Sequence, residues 1–267
     1  MFKDITLGQF FPGSTVIHRL DPRTKLLLTI VYIAALFTAE SYISYAVMLV
    51  SLVTCIGLSK IRLKTIFRGI KPIIVIIIIT AVLNLFFTAG TPLVKVWIIT
   101  ITSEGLKTAA LMVIRLIMLI AGTFLLTYTT SPIALTDGLE SVLNPLKKIR
   151  VPVHELAMMM SIALRFIPTL IDETSKITSA QKARGADFDT GNIIQKAKAM
   201  LPLLVPLFIS AFRRADELAI AMESRCYHGG EGRTRMKQLS MSGIDYMAFA
   251  FGAVVLAAVI TLATFGL

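Results

Sequence analysis

The sequence predicts an all-α integral membrane protein with about five transmembrane helices and a cytosolic domain of long amphipathic helices. Three observations carry that prediction. The 267-residue chain is 55% hydrophobic with a mean hydropathy of +0.78, above the ~45–50% apolar content of a soluble domain. Its apolar residues gather in runs near the ~20 residues that a bilayer requires. Its charge is unevenly placed: residues 131–243 hold 15 Lys/Arg and 11 Asp/Glu, too many for hydrocarbon. A net charge of +11 suits anionic lipid, nucleic acid or the inner side of a bilayer. The apolar runs favour the bilayer, and no aromatic-plus-basic pattern speaks for nucleic acid.

The runs fall at 24–39, 42–58, 72–89, 106–128 and 246–267. Asp21-Pro22 reads as an N-cap with proline at the first helical position, and Lys71-Pro72 gives the third run a similar start. The first apolar run begins only at Leu26, without a signal-peptide pattern. Residues 1–25 carry Lys3, Arg19, Arg23 and Lys25, and the 59–71 connection carries Lys60, Arg62, Lys64, Arg68 and Lys71. Glu40-Ser41 has no base, and 90–107 has only Lys95 and Lys107. The positive-inside rule then puts the N-terminus in the cytosol with 24 of the 27 bases. Five spans put the C-terminus outside. The expected organisation is 1–128, an N-terminal segment and four transmembrane helices; 129–243, the cytosolic domain; and 244–267, a last transmembrane helix.

Within the charged region, Ser131-Pro132 opens a short helix ending near Asn144-Pro145. A long helix follows Val151-Pro152 to about Lys182, and a second runs from about Asn192 to Arg225. In the second, Ile193, Ala197, Leu201, Leu204, Phe208, Ala211, Ala215, Leu218 and Met222 form a stripe at helical spacing, with Lys196, Lys198, Arg213, Asp216 and Glu223 off it. Leu156, Met160, Ala163, Ile167, Leu170, Thr174 and Ile177 do the same in the first. Pro168, Pro202 and Pro206 should kink these helices. Both end on an arginine that continues the stripe, in Ala183-Arg184-Gly185 and Ser224-Arg225-Cys226. A cation is favoured at a helix C-terminus, and a guanidinium offers a fixed fork of donors to a partner's carboxylates and carbonyls. An ordinary basic C-cap is the plainer reading of either triplet alone; two on matching phases point to docking.

Phe11-Pro12-Gly13-Ser14, His18-Arg19-Leu20-Asp21-Pro22-Arg23-Thr24-Lys25, the five-span layout and the two triplets resemble the T component (EcfT-type transmembrane scaffold) of energy-coupling factor (ECF) transporters, over essentially the whole chain. The resemblance implies a non-catalytic scaffold joining two ABC-type ATPases, a heterodimer, to a substrate-binding membrane S component for uptake of vitamins or other micronutrients. It implies a multi-pass protein of the cell membrane whose two long cytosolic helices are coupling helices. Ala183, Arg184, Gly185, Ser224, Arg225 and Cys226 would dock the ATPases. Met158, Met159, Met160, Leu201, Leu204 and Phe208 would offer adaptable apolar surface to the S component. ATP and magnesium would belong to the partner subunits, with no cofactor or metal on this chain. The family triplet is usually Ala-Arg-Gly, so the second departs at both flanks but keeps its arginine.

Other readings stay open. One is a dedicated cobalt/nickel-type ECF permease component. Another is a self-contained carrier of seven spans, counting 156–171 and 199–212. A third is a membrane enzyme, for which no nucleophile–base pattern speaks. Arg115, inside the fourth run, is expected to snorkel or to bond to carbonyls, since no intramembrane acid is there to pair with it. Gly229-Gly230-Glu231-Gly232-Arg233 lacks P-loop spacing and reads as a connector. His18, His154 and His228 lack metal-ligand spacing. Asp172-Glu173 and Asp216-Glu217 read as solvated faces or helix–helix ion pairs. Cys55 and Cys226 are expected to be free.

Overall fold

The computed structural model describes residues 10–39, 41–96, 99–186, 188, 192–230, 232 and 238–265. Among them the architecture is all-α except for one hairpin. The helices are α1 Val16–Arg19, α2 Pro22–Thr38, α3 Tyr42–Ser59, α4 Leu63–Ile70 and α5 Ile74–Phe87. Then come α6 Ser103–Thr129, α7 Pro132–Leu143, α8 Val153–Ala183, α9 Ile193–Ser224 and α10 Gly243–Phe265. Strands β1 Pro92–Val96 and β2 Ile99–Thr102 pair antiparallel between α5 and α6. The chain forms two compact units, residues 8–141 with 239–267 and residues 142–238.

In the first unit α6 packs against α2, α3, α4 and α5, and α10 closes on α2 and α3. Leu36, Met48, Met118, Tyr128 and Val259 are its most buried large side chains. Local chemistry explains where the helices start. The Asp21 carboxylate accepts the Arg23 N–H at 2.9 Å, with Pro22 in the first turn. Ser41 accepts from the Ser44 N–H at 3.1 Å, and Thr102 from the Gly105 N–H at 3.0 Å. Each satisfies a backbone donor that has no partner inside its helix.

Two expectations need correction here. The 59–71 connection is largely helix: α3 ends at Lys60, which is left-handed at φ 56°, and α4 then runs amphipathically with Ile66 and Ile70 buried. The third span therefore does not begin at Lys71-Pro72. Proline has no N–H to continue the ladder, and Lys71–Ile73 tighten into a 3₁₀ turn that carries α4 into α5. The 90–107 connection holds the hairpin, whose strands are rich in the β-branched residues that favour a pleated strand.

The N-terminal motif that carries the family resemblance is a clasp. The Phe11 N–H donates to the Tyr128 carbonyl at 2.9 Å, and the two rings meet edge-on at 5.4 Å. His18 lies 2.7 Å from the Thr15 hydroxyl and 3.1 Å from the Phe11 carbonyl. The Lys25 ammonium donates to the carbonyls of His18 and Thr129. Asp245 of α10 accepts the Asp21 N–H at 2.8 Å and both donors of Ser242. Beginning, middle and end of the chain are thus tied by satisfied polar groups.

Arg115 is bonded within the protein. Its Nε donates to the Tyr45 hydroxyl at 2.7 Å and an Nη to the Ala39 carbonyl at 2.9 Å, with the Phe37 and Tyr45 rings beside it. It caps the C-terminal end of α2, where a cation is favoured.

By length and composition, six helices among the described residues could cross a membrane: Tyr42–Ser59, Leu63–Phe87, Ser103–Thr129, Val153–Ala183, Ile194–Ser224 and Gly243–Phe265. Two of these are α8 and α9. The first expected span is α2, which at 17 residues is shorter than any of the six.

Candidate functional site

In the second unit α8 and α9 pack antiparallel. The Gln181 amide lies 3.5 Å from the Pro202 carbonyl, Arg214 reaches Glu173, and Gly230 beyond α9 lies against the His154 ring at the start of α8. Both helices run through their prolines, Pro168 in α8 and Pro202 and Pro206 in α9. Pro206 has no N–H to give to the Pro202 carbonyl, so the Gln181 amide approaches an acceptor that the helix leaves open.

The packed face of α9 is Leu203, Ser210, Arg214 and Leu218, where the turn spacing brings buried and half-buried positions together. Glu173 holds this face. It accepts from the Ser210 hydroxyl and, at 3.1 Å, from the Arg214 guanidinium, which also lies over the Phe166 ring at 5.8 Å. Of the two acidic pairs, Asp172-Glu173 therefore supplies a helix–helix ion pair.

The stripe read from the sequence divides: Ala211, Ala215 and Leu218 line a small cavity with Ile162, Phe166 and Leu170 of α8. Leu201, Leu204 and Phe208 lie on the face opposite Leu203, joined there by Val205, Ile209 and Phe212, all more than half exposed. The Phe208 and Phe212 rings touch at 4.6 Å between centroids. Met159 and Met160 are exposed on α8, and Met158 is half-buried. Stripe and packed face are both rich in apolar residues, so spacing alone does not say which is covered. Ser210 and Arg214, the partners of Glu173 in the helix contact, do not follow from the apolar stripes. A serine four residues before an arginine was the available signal.

The helix ends carry the candidate docking residues. At the end of α8, Arg184 is the C-cap, and Gly185 follows at φ +86°. The Gly185 N–H donates to the Lys182 carbonyl at 3.0 Å, and the Ala186 N–H to the Gln181 carbonyl at 3.0 Å. At the end of α9, Arg225 is the C-cap and Cys226 follows at φ +54°. The Cys226 N–H donates to the Glu223 carbonyl at 2.9 Å, and the Tyr227 N–H to the Met222 carbonyl at 3.0 Å. These are two Schellman motifs with the same pair of reversed bonds. Cysteine holds the left-handed position that glycine holds in the first triplet, so the departure in sequence leaves the turn intact.

Ala183, Arg184, Gly185, Ser224, Arg225 and Cys226 are all exposed. The Ser224 hydroxyl turns back to the Ile220 carbonyl at 2.7 Å. Among the described residues neither guanidinium has a hydrogen-bond or ion-pair partner. Because α8 and α9 are antiparallel, the two arginines sit at opposite ends of the pair. From Pro202, opposite Gln181, to Arg225 the helix rises roughly 35 Å at 1.5 Å per residue. Two identical cationic ends so far apart suit two separate acceptor sites better than one.

Residues 13–236 match the CbiQ family, described as cobalt transport protein. Three relatives are each named energy-coupling factor transporter transmembrane protein EcfT. That of Thermosediminibacter oceani is 58% identical over 92% of this chain and 93% of its own length. That of Clostridium kluyveri is 58% identical over 93% of each, and that of Lactococcus lactis subsp. cremoris is 45% identical over 91% and 92%. The chain belongs to this EcfT family. It is a membrane protein and the transmembrane component of an ECF-type transporter. Within this T component, the family match at residues 13–236 takes in His18, Asp21 and Lys25 of the clasp and both arginine-capped helix ends.

Proposed function

We propose that this chain is a non-catalytic scaffold coupling ATP hydrolysis in two partner ABC-type ATPases to micronutrient uptake through a membrane S component. The observation that carries the reading is the pair of identical Schellman ends at opposite extremes of an antiparallel helix pair, each presenting an exposed arginine. Each arginine docks in one ATPase of a heterodimer, held by carboxylates and carbonyls. The Glu173–Arg214 contact makes the helices move as one lever. The exposed face of Leu201, Leu204 and Phe208, with Met158, Met159 and Met160, receives the S component and passes motion to it. ATP and magnesium act in the partners.

The cytosolic placement of α8 and α9 rests on their charge. α8 carries Glu155, Arg165, Asp172, Glu173, Lys176 and Lys182, and α9 carries Lys196, Lys198, Arg213, Arg214, Asp216, Glu217 and Glu223. Charges inside hydrocarbon are costly, whereas an interfacial helix accommodates them. The N-terminus is then cytosolic and the C-terminus outside the cell membrane. A dedicated cobalt-type module is the second reading, favoured by the description of the matching family.

The test is the double variant Arg184→Glu/Arg225→Glu in the assembled transporter. It should fail to co-purify with the ATPases and should abolish uptake. Normal co-purification and uptake would remove the docking role. Labelling of a single cysteine at Gly185 in intact cells separates the topologies: a cytosolic α8–α9 pair leaves it unreactive to an impermeant reagent.

A further inference from the structure

The first unit contains a cavity of about 390 Å³ bordered by α1, α2, α3, α6 and α10. That volume is within the range of small-molecule sites. Along α2 it extends from Lys25 to Ala35, about 15 Å at 1.5 Å per residue. That is roughly one leaflet of a ~30 Å hydrocarbon core.

The wall asks for nothing polar over nearly all of this depth. Leu28, Leu52, Leu125, Met247, Phe251 and Val255 supply hydrocarbon. The hydroxyls that line the cavity are turned away. Thr29 donates to the Lys25 carbonyl, Ser51 to Met48, Thr54 to Val50 and Thr129 to Leu125, all within 2.7–2.8 Å. Tyr32 donates to the Met118 carbonyl at 3.2 Å. Water needs two or more polar partners to stay in a cavity, and these groups are already engaged.

Lys25 is the exception. It lines the end of the cavity at the start of α2 and is 7% exposed. An ammonium has three donors. Two go to the carbonyls of His18 and Thr129, at 3.1 and 2.8 Å. The third has no partner among the described residues. The Asp245 and Asp21 carboxylates stabilise the ammonium through space, but their hydrogen bonds go to the Asp21 N–H and Ser242 and to the Arg23 N–H. The third donor and the apolar wall together fit a ligand with a long apolar body and an acceptor oxygen at one end.

We propose that this cavity holds one acyl chain of an anionic phospholipid from the adjoining leaflet, with a phosphate oxygen on the Lys25 ammonium. Neither the cavity nor Lys25 takes part in the arginine ends of α8 and α9, so this inference stands apart from the docking reading. A retained lipid fills a void between α2, α3, α6 and α10 that would otherwise cost packing contacts.

The test uses the full chain in phosphatidylglycerol vesicles and then in mild detergent, read by native mass spectrometry and by maleimide labelling of Cys55. Cys55 lines the cavity, and a Cys226→Ser background leaves it as the only thiol. The wild type should retain one phosphatidylglycerol, and added lipid should slow Cys55 labelling at least fivefold. Thr54→Phe and Ala248→Phe, which fill the cavity from α3 and α10, should each lower retention about tenfold. Lys25→Met should lower it severalfold and abolish preference over phosphatidylcholine. Val254→Phe, on an α10 residue 67% exposed and outside the lining, should retain lipid as the wild type does. Undiminished retention in both filling variants, equal loss in Val254→Phe, or Cys55 labelling indifferent to lipid would each overturn the proposal.

Discussion

The second triplet stores backbone strain that the first does not, and the difference is measurable. Cys226 sits at φ +54° and Gly185 at φ +86°, in otherwise equivalent turns. A left-handed conformation costs a residue with a Cβ about 1–2 kcal/mol. Glycine gives back about 0.4–1 kcal/mol through its greater freedom in the unfolded chain. Cys226→Gly should then stabilise the end of α9 by about 0.5–1 kcal/mol, and Gly185→Ala should destabilise the end of α8 by as much. At 1.4 kcal/mol per tenfold, this is about a two- to fivefold change in the local opening constant. Global unfolding of a membrane protein is a poor readout, being often irreversible, but the turns have amides that report local opening. Those of Ala186 and Tyr227 close the two motifs at 3.0 Å. Hydrogen exchange at Tyr227 should slow in Cys226→Gly, and exchange at Ala186 should quicken in Gly185→Ala. Unchanged or faster Tyr227 exchange in Cys226→Gly would refute the strain argument, leaving the φ value without energetic consequence.

Two further predictions concern the first unit. Arg115→Met removes the donors to Tyr45 and Ala39 and should lower the detergent melting temperature more than Tyr45→Phe. The first loses a cation that ends a helix, costing about 2 kcal/mol, and the second a single charged hydrogen bond, about 1.5 kcal/mol; equal melting temperatures for wild type and Arg115→Met would exclude a capping role. Burial, with Lys25 nearby, holds the His18 imidazole below its ordinary value, although its bond to the Phe11 carbonyl pulls the other way. The folded clasp thus binds fewer protons than the open chain. Its stability should be complete above the ordinary histidine value near 6.5 and decline as the pH falls below it. Limited proteolysis of the N-terminal segment should quicken on acidification in the wild type and lose that dependence in His18→Gln.

Much of the fold was legible because bilayer and helix impose strong local rules. The apolar runs became α2, α3, α5, α6 and α10, and Asp21-Pro22 did cap α2. The long helices ended at Ala183 and Ser224, each one residue short of its triplet's arginine. The hairpin and α4 were harder to read. Each lies in a connection where charge was the stronger signal, and neither is long enough for its periodicity to stand out.

By itself, the sequence determined the apolar runs, the charge that separates apolar from basic segments, and the two arginine-ended helices. These depend on residues close together in the chain, through hydropathy, capping and helical period. Only the tertiary structure decided that α8 and α9 run antiparallel, that Leu203, Ser210 and Arg214 are covered while Leu201, Leu204 and Phe208 are left exposed, and that Cys226 completes the same turn as Gly185. It likewise decided that Arg115 ends α2 and that Lys25 lines one end of an apolar cavity. Each of these depends on which of several equally apolar faces meets a neighbour distant in sequence, a choice made by packing and by the pairing of a few polar groups.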